Sequence, residues 1–97
     1  MNIKRLILDV DMARKRPDVM DVATALSSLV EIEVINITIE NIDLETVGTE
    51  ILIEGGSNSL DYEKIIKTIE GTGAVVHSVD QVIVGTRIVE YVKRKRG

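Results

Sequence analysis

From Ile32 to Ile53 the chain reads IEVINITIENIDLETVGTEILI, two apolar, β-branched runs joined by an acidic turn. Runs of this composition with a turn between them read as the two strands of a hairpin. One amphipathic helix pattern lies on either side of the hairpin, and one more strand pattern lies beyond each helix. The order βαββαβ follows, and it restricts the chain to a small set of two-layer architectures.

The remaining elements can be placed residue by residue. Ile3 to Met12 alternates, with Leu6, Leu8, Val10 and Met12 on one side and Arg5, Ile7, Asp9 and Asp11 on the other; the first set is expected to meet the helices. Pro17 and Asp18 suit a helix start, and Val19, Val22, Ala23, Leu26, Leu29 and Val30 recur at helical spacing. A second strand is expected over about residues 31–40, with Ile35, Ile37 and Ile39 toward the core. A third is expected over about residues 47–54, with Val47, Ile51 and Ile53 inward, and Asn41, Asp43 and Glu45 form a longer loop between them. Gly55 and Gly56 make a turn, Ser59 is the expected cap of a second helix, and Tyr62, Ile65, Ile66 and Ile69 mark its buried face until Gly71 and Gly73 end it. Residues 74–84 complete the strands. Two crossover helices on one face of a four-stranded antiparallel sheet make an α+β, ferredoxin-like sandwich.

That arrangement leaves the other sheet face without helices. Arg5, Ile7, Asp9, Asp11, Ile32, Val34, Asn36, Thr38, Glu40, Glu50 and Leu52 are expected there. An apolar patch of this size on a monomer argues for assembly into a homo-oligomer. The segment 86–92, with Ile88, Val89, Tyr91 and Val92, is also too apolar to hang in water, so it is expected to pack on its own domain or on a neighbour.

Several ordered stretches resemble an uncharacterised archaeal family, domain of unknown function family 211. They are Leu8-Asp9-Val10, the Val34-to-Ile39 run with Asn41-Ile-Asp-Leu-Glu-Thr46, Leu60-Asp-Tyr-Glu-Lys-Ile65, and Val76-His-Ser-Val-Asp-Gln-Val82 with Gly85 and Ile88-Val-Glu90. The resemblance spans nearly the whole chain and implies the same ferredoxin-like fold, a shape similar to ACT domains, and oligomeric assembly. It implies no catalytic residues. The Met12-Ala-Arg-Lys-Arg-Pro17 loop is richer in basic residues than that family pattern leads one to expect.

Composition removes whole classes of chemistry. Ninety-seven residues suffice for one domain, and with only Tyr62 and Tyr91 aromatic, fourteen isoleucines must supply much of the core. With no cysteine, there are no disulfides, thiolate metal sites or cysteine nucleophiles. No apolar run reaches the length of a membrane span and no secretory pattern opens the chain, so the cytoplasm is the expected compartment. The net charge of −4 hides segregation: residues 1–16 carry +3, residues 17–92 carry −11, and Lys93, Arg94, Lys95 and Arg96 add +4 as a basic tail. Basic ends on an acidic body invite a polyanion or a second copy of the chain.

Few residues offer site chemistry. Asp9 and Asp11 point to the same side of one strand, about 6–7 Å apart, and with Glu50 and His77 could supply ligands to Ca²⁺ or Mg²⁺. Asn36, Glu40 and Asp80 are further oxygen donors within reach of that set. An acidic, solvated face is the plain alternative. His77 is the single histidine, and alternation does not assign it a face; a hydrogen-bonded structural role competes with ligation. Ser78 and Asp80, two apart on a strand, diverge from triad geometry, which rejects serine catalysis. The acidic loop 41–45 lacks the glycine and bidentate Glu of an EF-hand, and neither Gly55-Gly56 nor Gly71-Thr-Gly73 has the spacing of a phosphate loop.

Base-stacking RNA recognition on the sheet needs aromatic residues in the strands, and there are none. The expected function is therefore a non-enzymatic, homo-oligomeric regulatory or binding module that senses a divalent cation or small metabolite. The alternative is a structural protein that contacts a polyanion through its basic tail. Nucleic acid is not an expected partner of the body.

Overall fold

A computed structural model describes residues 1–91 of the chain; the basic tail 93–96 lies outside the described residues. The elements are β1 (Ile3–Ala13), α1 (Val19–Ser27), β2 (Val34–Ile42), β3 (Thr46–Glu54), α2 (Tyr62–Gly71) and β4 (Val75–Val84). All pairings are antiparallel and the strand order is β2-β3-β1-β4, which is the ferredoxin-like arrangement. The first and last strands in the sequence lie side by side.

Each helix is started by an aspartate. Asp18 Oδ1 accepts from Asp21 N–H and Asp21 Oδ2 accepts from Asp18 N–H, both at 3.0 Å, a reciprocal cap that satisfies two otherwise free backbone donors. Asp61, not Ser59, caps α2 by accepting from Lys64 N–H; the Ser59 hydroxyl instead accepts from Ile3 N–H and donates to Met1 C=O. The buried stripes are Val22, Leu26 and, just beyond the helix, Leu29 on one side and Ile65 and Ile69 on the other. Val30 is 92% exposed, because the helix ends at Ser27 and the periodicity no longer applies. Tyr62, at the first turn of α2, is exposed as well.

The helices meet Leu6, Leu8, Val10 and Met12 of β1 with Ile51 and Ile53 of β3, all fully or nearly fully buried. Truncating one of these central residues, such as Leu8→Ala, removes about 2–5 kcal/mol. Thr49, on the same face, is buried because its hydroxyl donates to Val10 C=O at 2.8 Å.

The turn of the β2–β3 hairpin is tighter than the composition suggests. The strands continue to Ile42 and resume at Thr46, leaving three connecting residues closed by a bond from Asp43 N–H to Thr46 C=O. Ile32 lies before β2 and packs against the core, so it is not part of the open face expected for it. Nine strand residues span about 30 Å, whereas the nine of α1 span about 14 Å, so the helix cannot cover the strand's whole length.

Candidate functional site

The open face is set by register. Its transverse rows are Val34–Glu54–Arg5–Ile83, Asn36–Leu52–Ile7–Gln81, Thr38–Glu50–Asp9–Ser78 and Asn41–Gly48–Asp11–Val75. One end of the face is therefore ion-paired, the middle apolar, and the far end acidic.

Arg5 anchors the first end. Its guanidinium donates from Nε to Glu54 Oε2 at 2.7 Å and lies 2.6 Å from that oxygen through Nη2; Nη1 reaches Gln81 Oε1 at 3.3 Å and Glu90 Oε2 at 3.0 Å, and Nη2 lies 2.7 Å from Glu90 Oε1. Three strands and the segment after β4 thus converge on one side chain that is 12% exposed. Planar guanidinium geometry makes such a multi-donor fork possible where Lys would not serve. The hydrogen bond from Arg5 holds the Glu90 carboxyl below its ordinary pKa. Residues 85–91 consequently turn back onto their own sheet: Gly85, at φ +144°, donates to Asn2 C=O, and Glu90 lands on Arg5.

Asp9 and Glu50 stand directly opposite each other across β1 and β3, and Asp11 is one row farther on. His77 does not join them. β4 carries two extra residues, His77 between the Val76–Val10 and Ser78–Asp9 pairs, and Asp80 between the Val79–Leu8 and Gln81–Ile7 pairs. Each bulge leaves one residue unpaired and resets the alternation, which is why periodicity gives His77 no face. His77 is exposed, and Asp80 accepts the Ser78 hydroxyl at 2.7 Å. Glu40 is likewise the extra residue of a bulge in β2, and Asn36 Oδ1 accepts from the Thr38 hydroxyl. Among the described residues, no group of three or more His, Asp or Glu side chains is placed to hold a metal ion.

A second concavity opens on the helix side, where the hairpin outruns α1. Met12, Val19, Met20, Ile39 and Val47 line an apolar cleft of about 220 Å³, with Arg14 and Asp18 as its charged residues. Its outer wall is exposed: Met20 is 69% accessible, and Ile42 and Leu44 beyond it on the hairpin are 58% and 91% accessible. No described helix is long and apolar enough to cross a membrane.

The resemblance noted in the sequence can be set beside this fold. The model of a family described as DUF211, Uncharacterized ArCR, matches residues 4–97. The chain belongs to the DUF211 family. Uncharacterized protein MJ0319 of Methanocaldococcus jannaschii is 40% identical to it over 91 residues, which cover 94% of this chain and 91% of that protein. Both the family and this relative are described as uncharacterized.

Sequence reasoning placed Arg5, Asp9, Asp11 and Glu50 on one face, and the structure puts them there. It missed the Glu54–Arg5–Glu90 network, because nothing local links Glu90 to a residue 85 positions earlier. The cleft was missed for the same reason. Its walls come from β1, α1, β2 and β3, and Ile39 and Val47 read simply as core residues.

Proposed function

We propose that this protein is a non-enzymatic, homo-oligomeric binding module that takes a small metabolite at the cleft beside its β2–β3 hairpin. The observation that carries this reading is the exposed apolar surface at the cleft: Met20 and Ile39 on its walls, and Ile42 paired with the lining residue Val47. Surface of this kind is costly to leave in water and marks a place for a ligand or another subunit. The cleft volume suits a ligand smaller than most drug-sized molecules, apolar in body, with an anionic end for Arg14.

Native mass spectrometry tests the assembly: the wild-type chain forms a closed oligomer, and Ile42→Asp with Leu44→Asp lowers its order. A wild-type monomer overturns the reading. Thermal shift with short aliphatic carboxylic and amino acids tests the cleft, where a rise in Tm that is lost in Arg14→Ala is the expected result.

A second reading, cation sensing, is supported by the Asp9–Glu50 pair. Two facing carboxylates suit a hydrated Mg²⁺, which keeps most of its waters and needs only one or two protein oxygens.

A further inference from the structure

Arg14 and Asp18 give the cleft beside the hairpin one charge of each sign, and its other lining residues are apolar. Both charged residues are held by their backbone. Arg14 N–H donates to Glu45 C=O at 3.1 Å, which carries the β1–β3 pairing one residue past Ala13 and Thr46. Asp18 is fixed as the cap of α1, with Oδ1 accepting from Asp21 N–H at 3.0 Å. Among the described residues neither side chain forms an ion pair, and the neighbouring Arg16 guanidinium is bonded to Asp21 at 2.7 Å. Both are exposed, so a ligand entering the cleft from solvent can reach them.

The pair of charges selects the ligand's polar end. A monocarboxylate satisfies Arg14 but brings a like charge toward Asp18, and a monoamine does the reverse. A zwitterion answers both residues. The walls select the rest of the molecule. Met12, Met20 and Ile39 carry no strong hydrogen-bonding side-chain group, so a polar ligand side chain would lose its water there without compensation. A volume of about 220 Å³ lies below the range for drug-sized ligands and admits one short aliphatic or thioether side chain. Methionine walls adapt their rotamers to such a group.

We propose, resting on the reading of the cleft as a ligand site, that it takes a free α-amino acid with an aliphatic side chain. The α-carboxylate meets Arg14, the α-ammonium meets Asp18, and the side chain lies against Met20 and Ile39. Three fixed contacts around one carbon distinguish its mirror images, so the cleft prefers one enantiomer.

The test follows the methyl NMR signals of Met20, Ile39 and Val47 in the full-length chain during titration with three ligands. L-Leucine, 4-methylpentanoate and 3-methylbutylamine share one hydrocarbon body and differ only in the charges they carry. Leucine should bind at least about tenfold more tightly than either single-charge analogue, the effect of one charge-assisted hydrogen bond. It should also bind more tightly or more weakly than D-leucine, not equally. Asp18→Asn keeps a residue suited to capping α1; it should weaken leucine by a similar factor and leave 4-methylpentanoate unweakened. Arg14→Gln should weaken leucine and leave the amine unweakened. Unchanged amide shifts in β1–β3 report an intact fold in each variant. Equal binding of leucine and 4-methylpentanoate, in the wild type and in Asp18→Asn alike, overturns the amino-acid assignment while the cleft reading stands, and equal binding of the two enantiomers does the same. If none of the ligands moves these signals, both fall. Signals that respond to protein concentration and not to ligand assign the cleft to a second copy and overturn the proposal.

Discussion

At the scale of single residues, glycines and one carboxylate carry the sharpest consequences. A Cβ on Gly55 would lie 2.6 Å from Asn58 C=O and 3.1 Å from Leu60, in a turn where backbone cannot retreat. Gly55→Ala should therefore cost about 1–3 kcal/mol. Gly71, at the end of α2, has open space where its Cβ would stand, and its backbone is not in the left-handed region. Gly71→Ala should stabilise the fold by about 0.4–1 kcal/mol by restricting the unfolded chain; urea denaturation measures both. Glu90 is the pH-sensitive group of the fold-back, since its carboxyl in the folded protein lies below its ordinary value through the hydrogen bond from Arg5. A carboxyl with a lowered folded pKa contributes its stabilisation fully above the unfolded pKa and loses it as the pH falls through the folded one. The segment should thus stay docked at neutral pH and release as the pH falls through the lowered Glu90 value. The amide shifts of Ile88 and Glu90 should follow that change, and shifts constant across the acid range would refute it.

At the scale of elements, β4 is the informative strand. It is an edge strand with two bulges three residues apart, and bulges on edges discourage pairing with another sheet. Because His77 is the extra residue of its bulge, deleting it keeps both flanking pairs, Val76–Val10 and Ser78–Asp9, in place. We expect the His77 deletion to fold with these cross-strand contacts intact, as nuclear Overhauser effects would report. Deleting Val79, which pairs with Leu8 beneath the helices, should shift the strand and abolish cooperative unfolding. A His77 deletion that fails to fold would show that the bulge itself is required. The order of elements, the inner face of β1 and the aspartate-led start of α1 were readable from the sequence, because caps and periodicity depend on neighbours a few residues away. The end of α1, the cap of α2 and the faces of β4 were not, since each depends on where a distant segment packs.

At the scale of the molecule, charge decides which partners approach. Residues 17–92 carry −11 against the +4 of Lys93, Arg94, Lys95 and Arg96. Nucleic acid should bind only through nonspecific counterion release, with Kd weaker than about 10 μM at physiological salt and a steep loss on adding more. Filter binding with and without residues 93–97 measures this, and tight, tail-dependent binding would promote the polyanion alternative. The open face supports a prediction for cations. Mg²⁺ or Ca²⁺ should raise Tm in the wild type and less so in Asp9→Asn with Asp11→Asn. An equal rise in the double variant would place the cation elsewhere, with the hairpin turn at Asp43 and Glu45 the next candidate.

Alternation with period 2, helical stripes with period 3.6 and turn residues at their boundaries determined the ferredoxin-like order of this chain and the side of the sheet that takes the helices. These are local patterns, and burial of one face selects among the few topologies that satisfy them. The tertiary structure alone decided the bulges that set the faces of β4, the convergence of Glu54, Gln81 and Glu90 on Arg5, and the cleft where the hairpin extends past α1. Each of these arises from segments brought together across tens of residues, where no periodicity within either segment encodes the register of the other.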